Sequence, residues 1–160
     1  MSTSSPRWLS EEEQETWLSL VSMLIRLPAQ LDRQLQRDAG ITHFEYQVLA
    51  GLSEAADGTM RMTLLAERTE GSLPRLSQVV ARLEKRGWVT RSTDPDDGRC
   101  TLATLTSEGR DKVVEAAPGH VAEVRRLVLD PLSPTQAKQL RTIGKRVIQA
   151  VDASANDLNT

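Results

Sequence analysis

The stretch from Thr63 to Thr106, TLLAERTEGSLPRLSQVVARLEKRGWVTRSTDPDDGRCTLATLT, constrains this chain more than any other. A short amphipathic segment leads into a Gly71-Ser72 turn, and a longer helix then carries Leu73, Leu76, Val79, Val80 and Leu83 on one apolar side. Gly87 stands just past Arg86, where the end of a helix favours glycine. Two β-rich runs follow, Trp88 to Thr93 and Cys100 to Thr106, joined by the turn-forming Asp94-Pro95-Asp96-Asp97-Gly98-Arg99. Helix, turn, helix and hairpin in that order predict a winged helix-turn-helix lobe, here over residues 42–106.

The flanks read as helices. Ser10 with Glu11, Glu12 and Glu13 makes a capping box with acids in the first turn. The pattern runs through Trp17, Leu20, Val21, Leu24, Leu27 and Leu31 to about Asp38, with a bend expected at Pro28. Thr42 caps a second helix through Phe44, Val48, Leu49 and Leu52, which stops before Asp57-Gly58. After the hairpin, Thr106 or Ser107 opens a helix with Val113, Val114, Val121, Val124, Leu127 and Val128, in which Pro118-Gly119 predicts a kink. Ser133 and Pro134 open the last helix, with Leu140, Ile143, Val147, Ile148 and Val151 at its apolar positions. The fold class is therefore mainly α with a small β-hairpin wing: a flexible tail over 1–9, then a single domain over 10–154. The apolar faces of the terminal helices, 10–38 and 107–153, exceed what such a lobe can cover, and predict a homodimer built on them.

Composition narrows the function. With 39% apolar and 26% charged residues in 160, the chain has the balance of a globular domain. It has no basic start followed by an apolar run and no apolar run of membrane-spanning length, which predicts a cytoplasmic protein without a membrane partner. The single Cys100 and the distant His43 and His120 exclude a disulfide framework and a His/Cys metal cluster. No paired carboxylates, nucleophile elbow or phosphate loop appears, so neither catalysis nor a cofactor is expected. Net charge is -2, yet between Arg61 and Arg99 eight basic residues face six acidic ones, leaving twelve basic and sixteen acidic in the remainder. An acidic body holding a basic module fits a DNA partner.

At about 100° per residue, the side of the second lobe helix opposite its apolar set holds Pro74, Gln78, Ala81 and Lys85, with Arg75, Ser77 and Arg82 on the margins. Gln pairs bidentately with adenine and Arg with guanine in the major groove, while hydroxyls and marginal arginines hold phosphates. The same residues on an ordinary helix would be a solvated surface.

The run Leu83-Glu84-Lys85-Arg86-Gly87-Trp88-Val89-Thr90-Arg91, Leu65-Ala66 before it, the wing turn Asp94 to Arg99 and the exit Leu105-Thr106-Ser107-Glu108-Gly109 together resemble the MarR family of bacterial winged-helix transcriptional regulators, over roughly residues 16–150. The family pattern often has a second basic residue where this chain has Gly98. The resemblance implies an obligate homodimer with intertwined terminal helices on a palindromic operator, and repression relieved by a small anionic or phenolic effector. DNA contact is then expected from Ser72, Pro74, Arg75, Ser77, Gln78, Arg82 and Lys85, and from Arg99 in the minor groove braced by Asp97. Trp17 and His43 are candidates for the effector pocket, or else dimer core and a first-turn helix residue. Cys100, beside Arg99, raises the alternative of a redox-sensing regulator; a protein-contact module without operator specificity is the other alternative.

Overall fold

A computed structural model describes residues 6–157, the side chains of 156 and 157 aside. The first five residues of the tail expected to be flexible lie outside the described residues; Pro6 to Leu9 are exposed and belong to no helix. The described chain forms two compact units, one ending at His120 and the other beginning at Val121.

In the first unit, α1 (Glu11–Ala39) opens on the capping box, with Ser10 Oγ accepting from the Glu13 N–H and the Ser10 N–H donating to Glu13 Oε2 at 2.8 Å. It closes at Gly40, whose φ of 66° is the left-handed cap that glycine adopts without strain. A second capping box, Thr42 with Glu45, starts α2 (His43–Ser53). Strand β1 (Thr59–Arg61), α3 (Met62–Arg68), α4 (Leu73–Lys85), β2 (Val89–Thr93) and β3 (Thr101–Leu105) complete the lobe, and α5 (Ser107–Val124) leaves it. The sheet order is β1-β3-β2, antiparallel throughout, with Val89 opposite Leu105 and Thr59 opposite Thr104. The expected hairpin is thus a three-stranded sheet. Strand β1, at three residues, is too short to show alternation in sequence.

One core joins α2, α3, α4 and the sheet through Phe44, Leu49, Leu65, Leu76, Val80, Leu83, Val89 and Ala103. A smaller one joins Leu35, Ile41 and Ala116, with Tyr46 and Trp88 packed against it. Burying side chains of this size stabilises by about 1.5–3 kcal/mol each, so these two clusters fix how α1, α5 and the lobe meet. Gly109 sets the approach of α5: a Cβ there would stand 2.1 Å from the Trp88 carbonyl oxygen. Beside the smaller core, the His120 ring lies 4.5 Å from that of Tyr46 and 5.4 Å from that of His43. Burial holds both imidazoles below their ordinary value of 6.5, against an opposing pull from Asp32 on His43 and reinforced at His120 by His43 itself.

The second unit holds the end of α5, a π-helical turn over Arg125–Leu129 and α6 (Pro134–Asp157). Helices α1 and α5 each continue across their prolines, Pro28 and Pro118, because a missing N–H costs one bond while the bonds on either side persist. An irregularity lies at Arg125–Leu129, closed by the Asp130 N–H on the Arg125 carbonyl at 2.8 Å.

Gly109→Ala forces backbone to move and should cost about 1–3 kcal/mol, read as a melting temperature lower by roughly 2–12 °C. Gly98→Ala, which meets nothing within 4 Å, should leave it unchanged; equal melting for the two variants would contradict the packing. The histidines give a second expectation. Their folded pKa values are depressed, so the unfolded chain takes up protons first, and their contribution is present above pH 6.5 and lost as pH falls below it. The urea midpoint should drop between about pH 7.5 and about pH 5.5, and a His43→Gln, His120→Gln double variant should flatten that drop. An unchanged slope in the double variant would refute the assignment.

Candidate nucleic-acid interface

Helix α4 is fixed in rotation by Leu76, Val79, Val80 and Leu83, all buried. Pro74, Arg75, Gln78, Arg82 and Lys85 are therefore exposed, and Ser77 and Ala81 half-buried. Leu73 departs from the sequence reading: it is 44% exposed rather than part of the apolar set, because at the first position of the helix it projects past the core. Ser72 is the N-cap, its Oγ accepting the Arg75 N–H at 3.4 Å.

The two flanks of α4 differ. On one, Arg75 lies over the Phe44 ring at 4.1 Å, and Arg82 Nε reaches Glu45 Oε1 at 3.5 Å. Glu45 is buried and already serves the Thr42 capping box, so α2 positions both marginal arginines. Here Asp32, His43, Phe44, Arg75, Gln78 and Arg82 wall an open groove of about 760 Å³ between α1, α2 and α4. His43 is in its wall. Trp17 is not among the lining residues and is exposed on α1, so the structure offers no support for it as an effector contact.

On the other flank stands the wing. Arg91 on β2 donates from Nε and Nη2 to Glu84 Oε2, at 3.1 and 2.8 Å, tying β2 to the end of α4. Arg61, at the end of β1, donates from Nε to the buried Asp94 Oδ2 at 2.7 Å. Asp94 also accepts from the Asp96 N–H at 2.9 Å, and these bonds, the backbone one foremost, hold its carboxyl below the usual range. At the tip, Asp97 accepts from the Arg99 N–H at 3.2 Å and from Arg99 Nε at 3.4 Å, while the Arg99 side chain is 93% exposed. A pair that exposed is worth about 0–1 kcal/mol, so Arg99 leaves Asp97 at little cost. Cys100 Sγ donates to Asp97 Oδ2 at 3.4 Å, and that bond, with burial, pushes the thiol up. The thiolate that a redox-sensing regulator needs is therefore disfavoured. The sequence reading did not single out Arg61 or Arg91, since the pairing of β1 with β3 and the Arg61–Asp94 and Arg91–Glu84 ion pairs join residues distant in sequence.

Among the described residues, no group of three or more His, Cys, Asp or Glu could hold a metal ion, and no helix is long and apolar enough to cross a membrane.

The fold is shared with known proteins. A family model described as MarR family matches residues 39–99. Sco3205, a MarR family transcriptional regulator from Streptomyces coelicolor solved in complex with DNA, is 46% identical, with a TM-score of 0.88 over 91% of this chain and 91% of its own. The chain belongs to the MarR family. AbsC, another MarR family regulator of Streptomyces coelicolor, is 34% identical with a TM-score of 0.88, over 92% of this chain and 99% of its own. The transcriptional repressor MprA of Escherichia coli is 25% identical over 118 residues, 74% of this chain and 66% of MprA. This chain spans 54% to 66% of the length of the first curated relatives it matches. MarR family proteins are transcriptional regulators, not enzymes.

Proposed function

We propose that this protein is a sequence-specific DNA-binding repressor that acts as a homodimer on a palindromic operator and is released by a small-molecule effector. The observation that carries the reading is the paired presentation of the outer face of α4 and the exposed Arg99 of the wing, on a chain 46% identical to a regulator solved with DNA. Gln78 and Lys85 face base edges in the major groove, and Arg75, Arg82 and Ser77 face phosphates beside them. Arg99 enters the minor groove.

Dimerisation is supported within each unit separately. Trp17, Leu18, Leu24 and Ile25 on α1 are more than half exposed, as are Ile143, Ile148 and Val151 on α6, and apolar stripes of that extent seek a partner. Two symmetric copies then set their α4 helices in successive major grooves, about 34–36 Å apart. The effector reading rests on the groove. A small anionic or phenolic molecule there meets Arg75 and Arg82 for its charge and Phe44 for its ring, on the helix that reads DNA. A ligand that prefers the DNA-free arrangement by about 1–3 kcal/mol weakens operator binding by the matching factor. The raised Cys100 thiol speaks against the redox alternative.

Binding-site selection from randomised duplex DNA tests the reading. The wild type should enrich an inverted repeat, and Gln78→Ala should lose about 1–3 kcal/mol of discrimination at one or two positions in each half. Arg99→Ala should weaken all sites while keeping the preferred sequence. Sedimentation at micromolar protein without DNA should show the dimer mass. Enrichment of no sequence, or a folded monomer, would overturn the proposal.

A further inference from the structure

The wing-side flank of α4 and the sheet enclose a hollow of about 240 Å³, separate from the groove on the other flank. Arg61, Arg91 and Arg99 are among the residues that line it, together with Ser77, Thr101 and the exposed Leu73. Among the described residues that line it there is no carboxylate. The acids that pair with these arginines, Asp94, Glu84 and Asp97, are not in the lining. A guanidinium carries five N–H donors. Asp94 engages only Nε of Arg61, and Glu84 engages Nε and Nη2 of Arg91, so both retain donors while being held in place. The hollow is thus cationic and hydrogen-bond-donating, and Arg61 and Arg91 are already held in place by their carboxylates.

Its place in the fold selects the anion. On a duplex, a major groove and the neighbouring minor groove are separated by one sugar-phosphate strand. If α4 reads the first groove and the wing tip the second, that strand must run between them, and the hollow lies there. Resting on the DNA-binding reading above, we infer that the hollow is the seat of one backbone phosphodiester of the operator, held by Arg61, Arg91 and the Ser77 hydroxyl, with its sugar against Leu73. Phosphate contacts of this kind set the register of a protein on DNA. The seat also accounts for a leucine left 44% exposed at the start of the recognition helix, since the deoxyribose covers it. Arg61 and Arg91 become backbone contacts of this interface, whereas Arg99, with its loosely held side chain, goes on to the minor groove.

The test replaces the operator phosphates one at a time by neutral methylphosphonates, on the sequence enriched by selection with the wild-type protein. One position in each half-site, on the strand between the α4 and wing contacts, should weaken the wild type about tenfold. The same substitution should leave Arg91→Gln unaffected, because the contact is already gone. That variant should bind the unmodified operator about tenfold more weakly and show a salt slope shallower by about 1 for each half-site. Ser77→Ala, which disturbs no ion pair, should show the same coupling at the same phosphate with a smaller loss, and decides the matter if Arg91→Gln folds poorly. Equal losses in the wild type and both variants at every phosphate would overturn the seat. Inorganic phosphate at matched ionic strength should inhibit the wild type and Arg91→Gln alike; selective inhibition of the wild type would identify a free-anion site and overturn the assignment to DNA. A protein that enriches no sequence fails earlier, at the DNA-binding reading, and takes this inference with it.

Discussion

Everything the lobe presents to its surroundings follows from how α4 is seated. Leu76, Val79, Val80 and Leu83 are buried to within 3% of completely, and together they contribute about 6–12 kcal/mol by area. Turning the helix by one residue, about 100°, would move Gln78 toward the core and expose valine and leucine in its place. No rearrangement of surface charge offsets a loss of that size. The core therefore dictates which face of α4 is free, and Ser72, Pro74, Gln78 and Lys85 are available only because their neighbours are not.

Around that seat the charged residues are arranged in pairs that orient without consuming. Glu45 holds Arg82, Glu84 holds Arg91 and Asp94 holds Arg61, and in each case the carboxylate is the more buried partner or ties two elements together. Removing one of these arginines does more than subtract a positive charge: where the acid is buried, as at Asp94 and Glu45, it is left desolvated and unpaired, a costly arrangement. Asp97 differs. It is more open, its arginine is almost fully exposed, and the pair costs little to break. The gradient from fixed arginines near α4 to a loose one at the tip is what a surface needs in order to fix its register on a backbone while leaving one side chain free to enter a groove.

Much of this was legible in the sequence, for identifiable reasons. The capping boxes at Ser10 and Thr42, the glycine after Arg86 and the apolar spacing of α4 are local signals, and local hydrogen bonding and burial decide them. The wing followed from two short runs around an acidic turn. What failed was set by contacts distant in sequence. Strand β1 exists only because β3 pairs with it, and Arg61 joins the site only because the wing folds Asp94 back onto it. Leu73 fits the helical period yet lies beyond the reach of the core. The partner of the Cys100 thiol could not be read from its neighbour Arg99, since the turn brings Asp97 to it instead.

On the proposed reading, one rigid lobe occupies two adjacent grooves at once, α4 in the major and the wing in the minor. Groove-specific chemical protection of the selected operator tests it most directly: methylation of guanine N7 reports the major groove and methylation of adenine N3 the minor. The wild type should protect N7 positions within each half-site and N3 positions just outside them, and Arg99→Ala should lose the N3 protection while the N7 protection persists. Loss of both together in Arg99→Ala at saturating protein, or N3 protection that survives the substitution, would contradict the account.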